Sequence, residues 1–125
     1  MYYTKNHEWI DFRGTCAYVG VSNFKLIDFG EIHEVIFNDP INFKIKGEII
    51  AWIRYKDYKI EILMPVTGSI IQINKIFSNK NQKSTAAHLE KSGWIFSIIP
   101  SNSYDRNDLI PIGEYVSMLK NEYPN

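Results

Sequence analysis

Apolar and polar residues along the chain alternate in short runs broken by Gly, Pro, Asn and Asp, a rhythm of strands and tight turns and not of long helices. The first pair of strands is predicted at residues 8–12 and 16–21, joined by a turn around Arg13-Gly14. Ser22 has the chemistry of a helix N-cap. A short helix over 23–29 follows, with Phe24 and Ile27 on one side, Phe29 turned away from them, and Gly30 placed to end it. Residues 32–37 read as a strand stopped by Asn38-Asp39-Pro40, and a second extended stretch runs through Phe43 and Ile45 to Gly47. The best hairpin is 48–55 with 58–63, turning at Lys56-Asp57, with Tyr55 and Tyr58 facing each other across its neck.

Pro65-Val66-Thr67-Gly68 then breaks the chain before a strand over 69–74, with Ile71 and Ile73 on one face and Ile70 and Gln72 on the other. Residues 78–84 are polar and turn-rich and read as a solvated loop, followed by a helical turn around 86–90. A last strong strand covers 93–99. A terminal helix covers 108–122, with Ile112, Tyr115, Val116 and Leu119 as its inward stripe. The whole is a mainly β (α+β) chain of 125 residues, the length of one domain with one core, so residues 1–125 are expected to form a single domain.

Charge narrows the function. Lys plus Arg and Asp plus Glu both number 14, so no long-range field of either sign draws the chain to nucleic acid or an anionic membrane. No apolar run approaches the roughly 20 residues that span a bilayer. The N-terminal residues have neither the apolar stretch of a signal peptide nor the character of a transit peptide, and the lone Cys16 excludes an internal disulfide; a cytoplasmic location is the expectation. His7, His33 and His88 lack paired-ligand spacing, and there is no nucleophile elbow or phosphate loop, so neither a metal site nor an enzyme is expected.

The stretch Tyr3-Thr4-Lys5-Asn6-His7-Glu8-Trp9-Ile10 resembles the opening motif of the H-proteins of the glycine cleavage system, small carriers with the barrel-sandwich hybrid fold shared by lipoyl and biotinyl carriers. The likeness continues without a gap in spacing from residue 18 to 77: Val19-Gly20-Val21-Ser22, Gly30, Gly47 before the hairpin, and Pro65-Val66-Thr67-Gly68 after it. Gly93-Trp94-Ile95-Phe96 and Glu114-Tyr115 complete it. Several short matches in the right order are far more specific than one motif.

What the resemblance implies is a non-enzymatic domain in which a lysine at the hairpin tip bears lipoate and carries a methylamine group among the glycine-cleaving enzymes. In this chain the lysine position falls on Asp57, the acidic residue expected before it on Arg54, and the small residue after it on Tyr58. Glu61-Ile62 keep the family's acidic-apolar pair, which holds the register. A carboxylate cannot form the amide that a lysine amine makes with lipoate. The expectation is therefore a domain without cofactor, acting as a protein-binding module.

Arg54, Tyr55, Tyr58 and Lys59 are the candidate contact residues, since Tyr and Arg are enriched at interfaces, although the same residues equally suit closing a hairpin neck and keeping an edge soluble. Glycine cleavage or lipoyl-handling enzymes are the partners implied. Two alternatives stand beside this reading: a lipoyl carrier using the displaced Lys56, and a docking scaffold in lipoate metabolism. A second departure lies at Ala86-Ala87-His88-Leu89-Glu90-Lys91-Ser92, where the family has a Pro-Tyr pair and a glycine-rich approach.

Overall fold

The computed structural model describes residues 1–26, 32–78 and 82–122. Ten strands follow in chain order: β1 (Tyr2–Tyr3), β2 (Glu8–Arg13), β3 (Cys16–Val21), β4 (Glu34–Phe37), β5 (Phe43–Lys44), β6 (Ile49–Tyr55), β7 (Tyr58–Leu63), β8 (Gly68–Ile73), β9 (Trp94–Pro100) and β10 (Ile110–Pro111). Two α-helices, α1 (Gln82–Glu90) and α2 (Ile112–Glu122), and two 3-10 turns, Asn23–Leu26 and Lys75–Ser78, complete the described chain. The strands form a seven-stranded sheet of order β10-β1-β2-β3-β9-β8-β5 and a three-stranded sheet β4-β6-β7, both antiparallel and neither closed.

Ile10, Val19, Phe96 and Ile98 of the large sheet, Ile50, Ile53 and Ile62 of the small one, and Leu89 of α1 are fully buried in one cluster. Each such side chain contributes about 1.5–3 kcal/mol of burial, and the two sheets are held face to face through them. Where Trp9 pairs with Gly20, a Cβ on Gly20 would come within 2.5 Å of the indole. The glycine is what lets the ring lie flat across the neighbouring strand.

The first hairpin turns one residue later than its Gly suggests. Arg13 still pairs with Cys16, and Gly14 (φ +66°) and Thr15 make the turn. Ser22 Oγ accepts from Phe24 N at 3.3 Å, the capping role expected of it, but the turn it caps is a 3-10 turn over Asn23–Leu26; Ile27 to Gly30 lie outside the described residues. The predicted strand at 32–37 begins only at Glu34.

The polar stretch read as a loop enters α1 at Gln82, so the helix is nearly twice the length of the predicted turn, and residues 79–81 lie outside the described residues. In β8 the register shifts between Ile70 and Gln72, so strict alternation fails: Ile71 is exposed while Ile73 packs against the core. In α2 only Tyr115 and Leu119 are buried, whereas Ile112 and Val116 are 50% and 43% exposed, because β10 takes up the chain to Pro111 and fixes which face meets β1.

Tyr115 ties that helix down. Its hydroxyl donates to Ser22 Oγ at 3.0 Å and lies 2.7 Å from His7 Nδ1, while its ring stacks on Tyr3 at 3.9 Å. Burial pushes the His7 imidazole below the ordinary histidine range, against an upward pull from Glu122; Lys25 adds to the lowering and Glu8 opposes it. Below about pH 6.5 the unfolded histidine takes a proton that the folded one resists, so the fold loses stability as pH falls from there toward the depressed folded value. Denaturant midpoints measured between about pH 5 and pH 8 will decline on the acid side, and His7→Gln will remove part of that decline.

Candidate functional site

The hairpin of β6 and β7 is the element on which the sequence places the candidate chemistry. Its register pairs Ile53 with Ile60, Arg54 with Lys59 and Tyr55 with Tyr58, leaving Lys56 and Asp57 as a two-residue turn. Such a turn needs a left-handed residue to match strand twist, and Lys56 supplies it with φ +49°. Asp57 is exposed beside it, and no hydrogen bond or ion pair engages its carboxylate among the described residues.

Around this tip the other candidates are anchored. Arg54 Nε is 2.6 Å from Glu34 Oε1 on the adjacent β4, and its Nη1 donates to the Lys56 carbonyl at 3.1 Å. The Lys56 ammonium sits 5.2 Å from the centroid of the Tyr55 ring, and Lys59 lies at the same distance over Trp52. Tyr55 also meets the His33 ring, with centroids 6.0 Å apart. Tyr58 is 68% exposed. The structure thus brings Arg54, Tyr55, Lys56, Asp57, Tyr58 and Lys59 together on one hairpin end, with Arg54 and Tyr55 half-buried and the other four exposed.

The root of the hairpin is built differently. Glu8, only 1% exposed, accepts from Thr4 Oγ1 at 2.6 Å, Asn6 Nδ2 at 2.8 Å, Lys25 Nζ at 2.9 Å and Leu63 N at 3.3 Å. Lys25, with 7% of its side chain exposed, also donates to the Asn6 carbonyl at 2.7 Å. One carboxylate therefore joins the N-terminal segment, the first 3-10 turn and the end of β7. A hollow of about 220 Å³ adjoins it, between Asn6, Lys46, Leu63, Met64 and Asp108, but the Glu8 oxygens on its wall are already engaged by those donors.

The sequence marks this knot only faintly, because Glu8 sits in a strand where a charged residue ordinarily faces water. The only signal was its place beside Thr4 and Asn6 in the opening motif.

At the second departure from the family pattern, α1 carries His88 against Gly93. A Cβ on Gly93 would collide with the imidazole, whose Nε2 is 2.8 Å from the Trp94 carbonyl and whose ring packs edge-on against Phe77. These residues fasten α1 to β9.

The glycine cleavage H-protein family model matches residues 1–122. The chain belongs to the glycine cleavage H-protein family. It is 27% identical over 121 residues to the glycine cleavage system H protein of Thermus thermophilus, covering 97% of this chain and 94% of that protein. To the H protein of Acidobacterium capsulatum it is 28% identical over 123 residues, covering 96% and 92%.

The crystal structure of a glycine cleavage system H protein from Mycobacterium marinum matches with a TM-score of 0.73 at 20% identity over 94% of each chain, a likeness of fold. As a member of the H-protein family the chain is not an enzyme. Among the described residues, no group of three or more His, Cys, Asp and Glu is placed to hold a metal ion, and no helix is long and apolar enough to cross a membrane.

Proposed function

We propose that this H-protein family member is a single domain over residues 1–125 that is not lipoylated at the family's usual position, holds no cofactor, and works in the cytoplasm by binding proteins through its hairpin tip. The observation that carries the reading is Asp57, exposed and unengaged at the turn of the hairpin on which the family places its lipoyl lysine. An acyl transfer to that position has no amine to receive it. What the tip does offer is Arg54 steadied by Glu34, the cross-strand pair Tyr55 and Tyr58, and Lys59, a composition typical of contact hot spots. Glycine-cleaving or lipoyl-handling enzymes are the partner class, and neither nucleic acid nor membrane is one.

The carrier reading through Lys56 is favoured by one observation, an exposed amine in the turn itself. Against it, that amine rests over the Tyr55 ring and leaves the backbone in a direction set by its left-handed φ. Intact mass of the full chain, purified from its own host and from a strain supplied with lipoate and a lipoyl ligase, separates the two. The expected result is no added mass beside a fully modified H-protein control. A gain of one lipoyl group that disappears in Lys56→Ala would make the protein a carrier with a displaced lysine.

A further inference from the structure

An outer strand of a sheet presents backbone N–H and C=O groups that another chain can pair with, so each outer strand here has to be accounted for. Among the described residues, one is capped by side chains, one is too short to extend, and one has a helix packed beside it. β10 has two residues and runs straight into α2, and α1 lies against β4. At β5 the Phe43 N–H is taken by Asn42 Oδ1 at 2.8 Å and the Ile45 N–H by Glu48 Oε2 at 2.5 Å.

β7 remains. In a two-residue hairpin the closing pair, Tyr55 and Tyr58, exchange their bonds with each other, so alternation turns the groups of Ile60 toward β6 and those of Lys59, Glu61 and Leu63 away from it. The Arg54 carbonyl, which accepts from His33 N on the β4 side, agrees with this alternation. On the outward side Glu8 takes the Leu63 N–H. No described group outside the hairpin accepts from Lys59 or Glu61 N.

We propose that β7 pairs antiparallel with β7 of a second copy of this chain, about a two-fold axis through Ile60. In that register Lys59 stands opposite the partner's Glu61, and Glu61 opposite the partner's Lys59, so symmetry makes two favourable charge pairs from one strand. Moving the axis by one residue either way sets lysine on lysine or glutamate on glutamate, which fixes the register. Ile60, half-buried at the rim of the core, meets its own counterpart in the closer, non-hydrogen-bonded type of pair.

The occupant follows from this self-complementarity. A foreign strand would have to bring an acid and a base in the right order, whereas a second copy has them by construction, and equal numbers of cationic and anionic residues leave no long-range repulsion between copies. An edge this short buries well under about 1,000 Å², so the association is of the weak, transient class. The inference deepens the protein-binding reading by naming a partner for the same hairpin, and rests on it.

Sedimentation velocity on the full chain tests it, with Lys59→Glu, with Glu61→Lys, and with the two variants mixed. The wild type will rise from monomer toward dimer mass as concentration reaches about 1 mM. Each single variant, now facing like charges twice, will associate about tenfold more weakly. Mixing them restores an acid opposite a base at both positions and will restore association to the wild-type level.

Both side chains are exposed, so unchanged far-ultraviolet dichroism is expected. If either variant fails to fold, the double exchange K59E/E61K, which is self-complementary again, takes its place and must associate like the wild type. A wild type that stays monomeric throughout, or a mixture or double exchange that does not recover, overturns the pairing. With no lipoyl group in the intact mass, that outcome leaves the protein-binding reading standing; a lipoyl group overturns that reading whatever the sedimentation shows.

Discussion

Replacing Glu8 by alanine will lower the unfolding free energy by about 3–5 kcal/mol, the cost of leaving one member of a buried ion pair without its partner. Lys25 would keep its charge in a pocket where only the Asn6 carbonyl still accepts from it, and the Thr4, Asn6 and Leu63 donors would lose their acceptor together. Lys25→Met should cost a comparable amount, because it strands the carboxylate instead. The informative variant is the double one, Glu8→Ala with Lys25→Met. Its loss should fall well short of the two single losses combined, since neither charge is then left alone, though the orphaned Leu63 N–H keeps a residual penalty of about 1–3 kcal/mol. Denaturant unfolding of the four proteins gives the coupling directly. Simple additivity would mean that the two groups do not act as a pair.

The second large effect is expected at Gly68. It pairs with Lys44 on one side and Pro100 on the other, and a Cβ there would collide with the Ile99 carbonyl oxygen and come within 2.8 Å of Pro100 Cα. Both obstacles are backbone, which cannot rotate away as a side chain can. Gly68→Ala should therefore fall at the upper end of the about 1–3 kcal/mol typical of overpacking, read as a lowered denaturant midpoint. Gly113 in α2, with open space around it, is the control: alanine there should be neutral or slightly stabilising. Equal losses at both positions would show that steric contact with β9 is not the cause.

The parts of the fold that could be read from sequence are those in which one residue dictates local geometry. Tyr55 and Tyr58 flank a two-residue turn, and the hairpin they predict is present in the predicted register. Ser22 caps, as a hydroxyl before a turn does.

The misreadings share a different cause, since each depends on what another part of the chain brings. Thr85 and Leu89 are the buried residues of α1, four apart, but Lys83, Ser84 and their polar neighbours hide that spacing. Ile112 and Val116 have the right period for an inward stripe and lie outside because none of the described residues covers that side of α2. The shift in β8 has no glycine or proline to announce it. At the site, exposure of Asp57 was legible from the turn alone, whereas the burial of Glu8 required knowing that Lys25 and Leu63 would converge on it from 17 and 55 residues away.

Asn42 and Glu48 are small features of a two-residue strand, yet they determine how far assembly can go. A chain with two adhesive edges is a link that can be added to indefinitely, and in a crowded or heated solution it grows into fibres. With their oxygens on the Phe43 and Ile45 amides, these two side chains take the β5 edge out of use. The proposed two-fold pair through β7 would find no second adhesive edge at β5, which works against its extension into a filament.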